Sequence, residues 1–241
     1  MTAKSRPVSN RFLGSQPRRA SGFLGHRLLA HLGAALNSIT AKRLFDILFS
    51  ASVLVLCAPV YLLLTVLVRL SSPGPIFYVQ KRVGKDFRPF NCIKFRTMVI
   101  DADVVLQNLF IQSPELKQEY LANFKLKKDP RITWIGRFLR RTSLDEFPQF
   151  WNVLRGQMSV VGPRPLVPEE LEKYGPRINT VLTVRPGITG LWQVSGRNDI
   201  PYPKRVQIDI FYATRRHLLM DFWIVFKTAG VMFLPGKGGG Y

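Results

Sequence analysis

"ILFSASVLVLCAPVYLLLTVLV", Ile47 to Val68, runs for 22 residues without a charge between Asp46 and Arg69. At about 1.5 Å per residue it makes about 33 Å of helix, enough to cross a hydrocarbon core of about 30 Å. Pro59 stands near its middle. There it removes one backbone hydrogen bond and presses on the preceding turn, so the helix is expected to bend.

The flanks choose between a kinked span and a re-entrant hairpin. Residues 1–43 carry Lys4, Arg6, Arg11, Arg18, Arg19, Arg27, Lys42 and Arg43 and no acid, and the basic character resumes at Arg69, Lys81, Arg82, Lys85 and Arg88. Flanks rich in Lys and Arg stay cytoplasmic. Both ends therefore favour one side: a helix over 42–70 that enters the membrane, breaks at Ala58–Pro59 and returns. A kinked span and a buried soluble helix are the alternatives.

The tail over 1–41, rich in Ser, Pro, Gly and Arg, is expected to be largely disordered and to cling to anionic lipid heads. Leu24, Leu28, Leu32, Ala35 and Ile39 recur at helical spacing and predict a short surface helix from Phe23 to Ile39. A cleavable secretory signal is not expected, because the apolar run begins too far along the chain and is too long.

A chain of 241 residues with 46% hydrophobic content can bury a real core. The 35 Lys+Arg against 15 Asp+Glu give a net charge of +20, which calls for an anionic partner. A nucleic-acid-binding protein would explain that charge but not the apolar run, and no zinc or RNA-binding signature is present. A non-catalytic basic membrane adaptor would explain both. Cys57 and Cys92 are the only thiols, so a reducing compartment and no disulfide are expected.

Beyond the apolar run, "PIFYVQKRVGKDFRPFNCIKFRTM" reads as a β-hairpin about Gly84-Lys85-Asp86, with Lys81, Arg82, Lys94 and Arg96 as a solvated face in the plain reading. Residues 101–128 and "ITWIGRFLRRT" follow as helices. In "RRTSLDEFPQFWNVLRG", Ser143 and Glu146 match a capping box. Pro148, however, would then fall where a helix needs a donor, so the helix is expected to start at Asp145 or Glu146, with Gly156 as its stop. Two adjacent carboxylates at a helix mouth, beside arginines, suit a nucleophile kept ionised by positive ends, with a second acid for a divalent cation. Pro163 and Pro165 stiffen the chain around Arg164, and "VRPGITGLWQVSGRN" carries Arg185 and Arg197 in a glycine-bearing loop; guanidinium forks suit phosphate oxygens. Ile208 to Phe226 fits an amphipathic helix on lipid as well as a core helix.

In this order, "KRLFDI…AP", "PIFYVQKRVGKDFRPFNCIKFRTM", "RRTSLDEFPQFWNVLRG", "VVGPRPL" and "RPGITGLWQVSGRN" resemble the bacterial sugar transferases, the monotopic phosphoglycosyl transferases, from about Lys42 to the C-terminus. The resemblance implies an α/β, mostly helical fold: a re-entrant membrane helix hairpin plus a small cytoplasmic catalytic domain, residues 71–241, with a β-hairpin and amphipathic interface helices. It implies a bacterial inner-membrane enzyme, monotopic on the cytoplasmic face, that begins exopolysaccharide synthesis on undecaprenyl phosphate. Carried to matching positions, Asp145 attacks the β-phosphate of a UDP-sugar and UMP leaves. Glu146, with Asp145, holds Mg2+. Arg140 and Arg164 bind phosphate, Lys94 and Arg96 bind phosphate or support the site, and Arg185 lies near the nucleotide. The family often has Ser-Pro at the membrane break; here it is Ala58-Pro59, without the hydroxyl that would satisfy a freed carbonyl. Galactose is the first expectation for the sugar and glucose the second, while the oligomeric state is not legible.

Overall fold

The computed structural model describes residues 39–123, 126–196 and 199–233. The tail through residue 38, with the surface helix expected in it, and Arg197 lie outside the described residues.

Helix α1 spans Ile39–Leu56 and α2 spans Ala58–Ser71, bent by 64°. The break falls at Cys57, just ahead of the Ala58–Pro59 pair, because Pro59 then sits in the first turn of α2, where a missing N–H costs nothing. No single helix among the described residues is long and apolar enough to cross a membrane; this bent pair together passes by length and composition. Both arms leave large aliphatic side chains uncovered, Val55 at 72% and Leu56 at 77% on α1, Leu62 at 70% and Leu70 at 75% on α2. Their other faces are packed. Phe49 lies 6.2 Å from Phe150, and Leu64 and Val68 share a buried cluster with Phe95, Ile135 and Leu139.

The start of α1 is fastened by charge. Asp46, 1% exposed, accepts hydrogen bonds from Ser159 Oγ and the Val160 amide, both at 3.0 Å. Lys42 Nζ lies 3.1 Å from Asp46 and 2.9 Å from Asp221, whose other oxygen takes the Tyr212 hydroxyl at 2.7 Å. Pairing every charge in this ring is what makes its burial tolerable.

Strands β1 (Phe77–Val83) and β2 (Pro89–Phe95) form the expected hairpin, in register from Phe77 opposite Phe95 to Val83 opposite Pro89. Helices α3 (Ala102–Gln112), α4 (Pro114–Asn123) and α5 (Trp134–Thr142) follow. After the carboxylate turn come α6 (Gln149–Leu154) and β3 (Ser159–Val161). Asn152, fully buried on α6, accepts from the Ile93 amide at 3.1 Å and donates to the Asn91 carbonyl at 2.7 Å, pinning α6 to β2. A 3-10 segment, Pro168–Arg177, leads to α7 (Ile178–Val181). Next are β4 (Gly187–Thr189), parallel to β3, and α8 (Leu191–Ser195). The segment expected from Ile208 to Phe226 divides into α9 (Tyr202–Arg215) and α10 (Leu218–Phe233). Tyr212 and Ile224, from these last helices, join Val153, Met158 and Val161 in the largest buried cluster. The molecule is mostly helical, with a small hairpin and a short parallel pair among the described residues.

Two glycine-bearing stretches are fused at backbone distance. A Cβ on Gly187 would meet the Gly162 nitrogen at 2.1 Å, and one on Gly190 would meet the Gly162 carbonyl at 2.4 Å. "VVGPRP" and "RPGITG" thus lock side by side, and the stiff Pro163-Arg164-Pro165 leaves from a fixed point.

Candidate active site

Helix α5 delivers the carboxylates. Thr133 Oγ1 accepts from the Gly136 amide at 3.0 Å and caps its start. Ser143, at φ 58° and ψ 17°, closes its end in the left-handed conformation, which costs a non-glycine residue about 1 kcal/mol. The reversal turns Leu144, Asp145 and Glu146 into a single 3-10 turn, and α6 begins only at Gln149, after Pro148. The capping box is therefore not formed: Ser143 ends the helix before it and makes no side-chain cap bond to the turn. The helix also starts later than Asp145 or Glu146, since Pro148 is accommodated just ahead of it. Leu144 and Phe147 pack into the cluster of Leu64, Val68, Phe95, Ile135 and Leu139. The intervening Asp145 and Glu146 remain half-buried.

Lys94 meets them from β2, its Nζ 2.6 Å from Glu146 Oε1. Arg140, in the last turn of α5, donates from Nε to Thr97 Oγ1 at 2.9 Å. Arg164 is half-buried on the Pro-Arg-Pro segment, which the hairpin holds directly: the Val83 amide donates to the Leu166 carbonyl at 2.9 Å.

The electrostatics of the two acids diverge. Burial and the neighbouring Glu146 push Asp145 up to about 6, against the pull of Lys94 and Arg140. Glu146 goes the other way: burial is outweighed by Lys94, Arg164 and Arg82, and its carboxyl is held below its ordinary value. Paired acids whose environments separate their affinities for protons are a mark of chemical sites. The charges of Glu146, Glu170 and Asp145 raise the Arg164 guanidinium despite its burial, so it is a permanent cation whose charge couples to both carboxylates.

Lys94, Arg140 and Arg164 are thus gathered about Asp145 and Glu146. Arg96 and Arg185 are not. Arg96, 6% exposed, donates to the Pro73 and Ser72 carbonyls, each at 2.7 Å, and ties the end of β2 to the segment after α2. Arg185 donates from Nε to the Gly156 carbonyl at 2.8 Å and lines a different cleft, with Lys42, Asp46, Lys85 and Arg216.

Two contributors escaped the sequence reading. Arg82, expected on a solvated face, is 9% exposed; it donates to the Pro165 carbonyl at 2.9 Å and lies 3.8 Å from Glu170. Hairpin parity was the missed signal: Tyr78 pairs with Lys94, Gln80 with Cys92 and Arg82 with Phe90, so Arg82 shares the Lys94 face. Thr97, which aims Arg140, carried no signal of its own.

No group of three or more His, Cys, Asp or Glu side chains converges among the described residues. Two adjacent carboxylates nevertheless fit Mg2+, which takes one or two protein carboxylates and completes its shell with water and substrate phosphates.

The family model for bacterial sugar transferase matches residues 37–235. The chain is 48% identical over 188 residues to the exopolysaccharide production protein ExoY of Rhizobium meliloti (strain 1021), covering 78% of this chain and 83% of that one. It is 48% identical over 191 residues to the undecaprenyl-phosphate galactose phosphotransferase of Salmonella typhimurium, covering 79% of this chain and 40% of that protein. It is 38% identical over 195 residues to the UDP-glucose:undecaprenyl-phosphate glucose-1-phosphate transferase of Escherichia coli (strain K12), covering 78% and 39%. The chain therefore spans about two-fifths of the length of these two named transferases.

Proposed function

The chain belongs to the bacterial sugar transferase family, and from that premise we propose that it transfers a hexose 1-phosphate from a UDP-sugar to undecaprenyl phosphate, opening exopolysaccharide synthesis. The observation that carries the reading is the half-buried Asp145–Glu146 turn, ringed by Lys94, Arg140, Arg164 and Arg82. In the first step an Asp145 oxygen bonds to the β-phosphorus, and the bond from that phosphorus to the bridging oxygen breaks. UMP leaves with the electron pair. In the second, a phosphate oxygen of undecaprenyl phosphate attacks the same phosphorus, and the Asp145 carboxylate is released. No proton needs to be moved by the protein in either displacement.

Each side chain has a part that its surroundings support. Burial and the charge of Glu146 raise the proton affinity of Asp145, which makes its carboxylate a stronger nucleophile than an ordinary one. Arg164 and Lys94 offset the charge of the incoming phosphates, and Arg140, aimed by Thr97, adds to them. Glu146 and Asp145 would hold Mg2+, which supplies further neutralisation of the transferred phosphoryl group. Galactose is the first choice of sugar, because identity is higher to the galactose phosphotransferase than to the glucose one.

The same reading puts the protein on the cytoplasmic face of a bacterial inner membrane, with α1 and α2 as a monotopic re-entrant pair in anionic phospholipid. Support comes from the bend, the uncovered aliphatics on both arms and the basic flanks.

The test is an incubation of the full chain with radiolabelled UDP-galactose or UDP-glucose, undecaprenyl phosphate and Mg2+. UMP release and a labelled phosphosugar adduct are expected for the natural chain. Asp145→Asn is expected to abolish both, a loss of about 10³-fold or more, while remaining folded and membrane-bound. Normal turnover by Asp145→Asn removes the nucleophile, and absence of UMP release from either sugar nucleotide removes the activity.

A further inference from the structure

Away from Asp145, a shallow open cleft lies at the first turn of α1, lined among others by Lys42, Lys85, Thr183, Arg185 and Arg216. Its one lining acid, Asp46, is 1% exposed and already engaged with Lys42, Ser159 and the Val160 amide. Lys42 is held by Asp46 and Asp221. The remaining cations, Lys85 from the hairpin turn, Arg185 before β4 and Arg216 after α9, come from three separated parts of the chain and line the opening; Lys85 has the exposed Asp86 at 3.8 Å, and no surface acid is among the residues that line the cleft with Arg185 and Arg216. Gathering like charges is unfavourable unless an anion joins them.

The position of the cleft selects the anion. It opens beside Ile39 and Lys42, and the next turns of α1 expose Leu44 at 56% and Leu48 at 58%. Phe45 meets Phe222 edge-on at 5.0 Å, which continues the apolar surface onto α10, where Leu219, Trp223 and Phe226 are exposed. Lys227 sits 5.7 Å from the Trp223 ring. A tryptophan with a lysine at the edge of an apolar surface is the arrangement found at the headgroup level of a bilayer. Arg216 of the cleft stands just ahead of α10, and Lys42, which lines the same cleft, is bonded to Asp221 in the first turn of α10.

We propose that the cleft of Lys85, Arg185 and Arg216 binds the phosphate of an anionic phospholipid headgroup, separate from the phosphates handled at Asp145. The inference rests on the membrane part of the reading above and reassigns Arg185 from the nucleotide to the lipid. The headgroup fixes how the chain lies on the bilayer by seating the α1–α10 edge at the phosphate level.

The test titrates the full chain, purified in neutral detergent, with dihexanoyl-phosphatidylglycerol, dihexanoyl-phosphatidylcholine, inorganic phosphate and UMP, reading the thermal midpoint. Phosphatidylglycerol is expected to raise it and phosphatidylcholine to leave it unchanged. Arg185→Gln with Arg216→Gln should weaken phosphatidylglycerol binding about tenfold or more. Should that pair fail to fold, Lys85→Gln and Arg216→Gln singly, which leave the Arg185 bond to Gly156 intact, should each weaken it by about fivefold. Equal binding of both lipids, or equal affinity in every variant, overturns the proposal. So does inorganic phosphate binding as tightly as phosphatidylglycerol, or UMP displacing the lipid, since a soluble ligand would then own the cleft. Flotation with phosphatidylcholine vesicles reports on the membrane reading alone. A chain that fails to float sinks that reading, whereas one that floats but shows no phosphatidylglycerol preference sinks only the cleft.

Discussion

Asp209 on α9 is 1% exposed; one oxygen takes the Tyr174 hydroxyl at 2.8 Å and the other is buried without a hydrogen-bond partner among the described residues. Burial pushes its carboxyl up to about 7, against the Tyr174 bond and the charges of Arg164 and Arg205. Between the ordinary value of 3.8 and about 7 the folded chain therefore holds a proton that the unfolded chain has lost. Its contribution to stability is complete below the ordinary value and disappears as the pH rises through about 7. Asp209→Asn, which stays neutral and can still accept from Tyr174, should flatten the decline in thermal midpoint between pH 5 and pH 8, a difference on the order of a few kcal/mol. Parallel pH curves for the two proteins would refute it. Lys94 and Arg96, two residues apart, should part company on substitution. Lys94→Met should cut adduct formation by about 10²-fold with a small change in thermal midpoint, since it acts on Glu146. Arg96→Met should instead cost about 2 kcal/mol of stability, because two carbonyls lose their donor. Chemical denaturation alongside the adduct assay separates the two. Lys94 was placed at the site only through the family resemblance, while Arg140 and Arg164 were legible because cations near paired acids suit phosphate. The different duty of Arg96 was not, because a strand pattern gives the side a residue faces but not what lies past the strand's end.

Helix α5 depends on one missing side chain. A Cβ on Gly136 would lie 2.0 Å from the Thr97 carbonyl oxygen and 2.8 Å from the Thr97 Cα, backbone that cannot step aside. Gly136→Ala should move α5 outward, destabilise the fold by about 2–3 kcal/mol, and reduce activity beyond what its unfolded fraction explains, since Arg140 and the Asp145 turn travel with the helix. Denaturation midpoints and adduct rates measured on the same sample check this. An unchanged rate per folded molecule would mean that the turn does not follow α5. The hairpin and the bend of the apolar run were readable because strand alternation, turn residues and proline act locally. The carboxylate turn was misread for a local reason too: the helix was expected to start at Asp145 or Glu146, whereas Ser143 closes α5 in the left-handed conformation and the acids form a separate 3-10 turn before α6.

For the whole molecule, charge and apolar length pointed to a membrane surface; in the structure each arm of the bent pair packs one face against the core and leaves large aliphatic side chains uncovered on the other. Impermeant thiol labelling of Ser5→Cys and Pro235→Cys in intact cells should find neither site reactive from outside; reaction of only one would make the pair a span. What no local pattern could foretell is the partnership across the chain, Arg82 with Glu170 or Lys42 with Asp221, because such contacts are created only by the finished topology. That last partnership has a consequence for synthesis. Lys42 leaves the ribosome 179 residues ahead of Asp221 (221 − 42), so the ammonium that fastens α1 waits through the synthesis of the carboxylate turn, α9 and both short strands of the parallel pair for its second counter-ion. The lock on α1 therefore closes only after α10 has been made, and until then that helix has Asp46 alone to hold its ammonium.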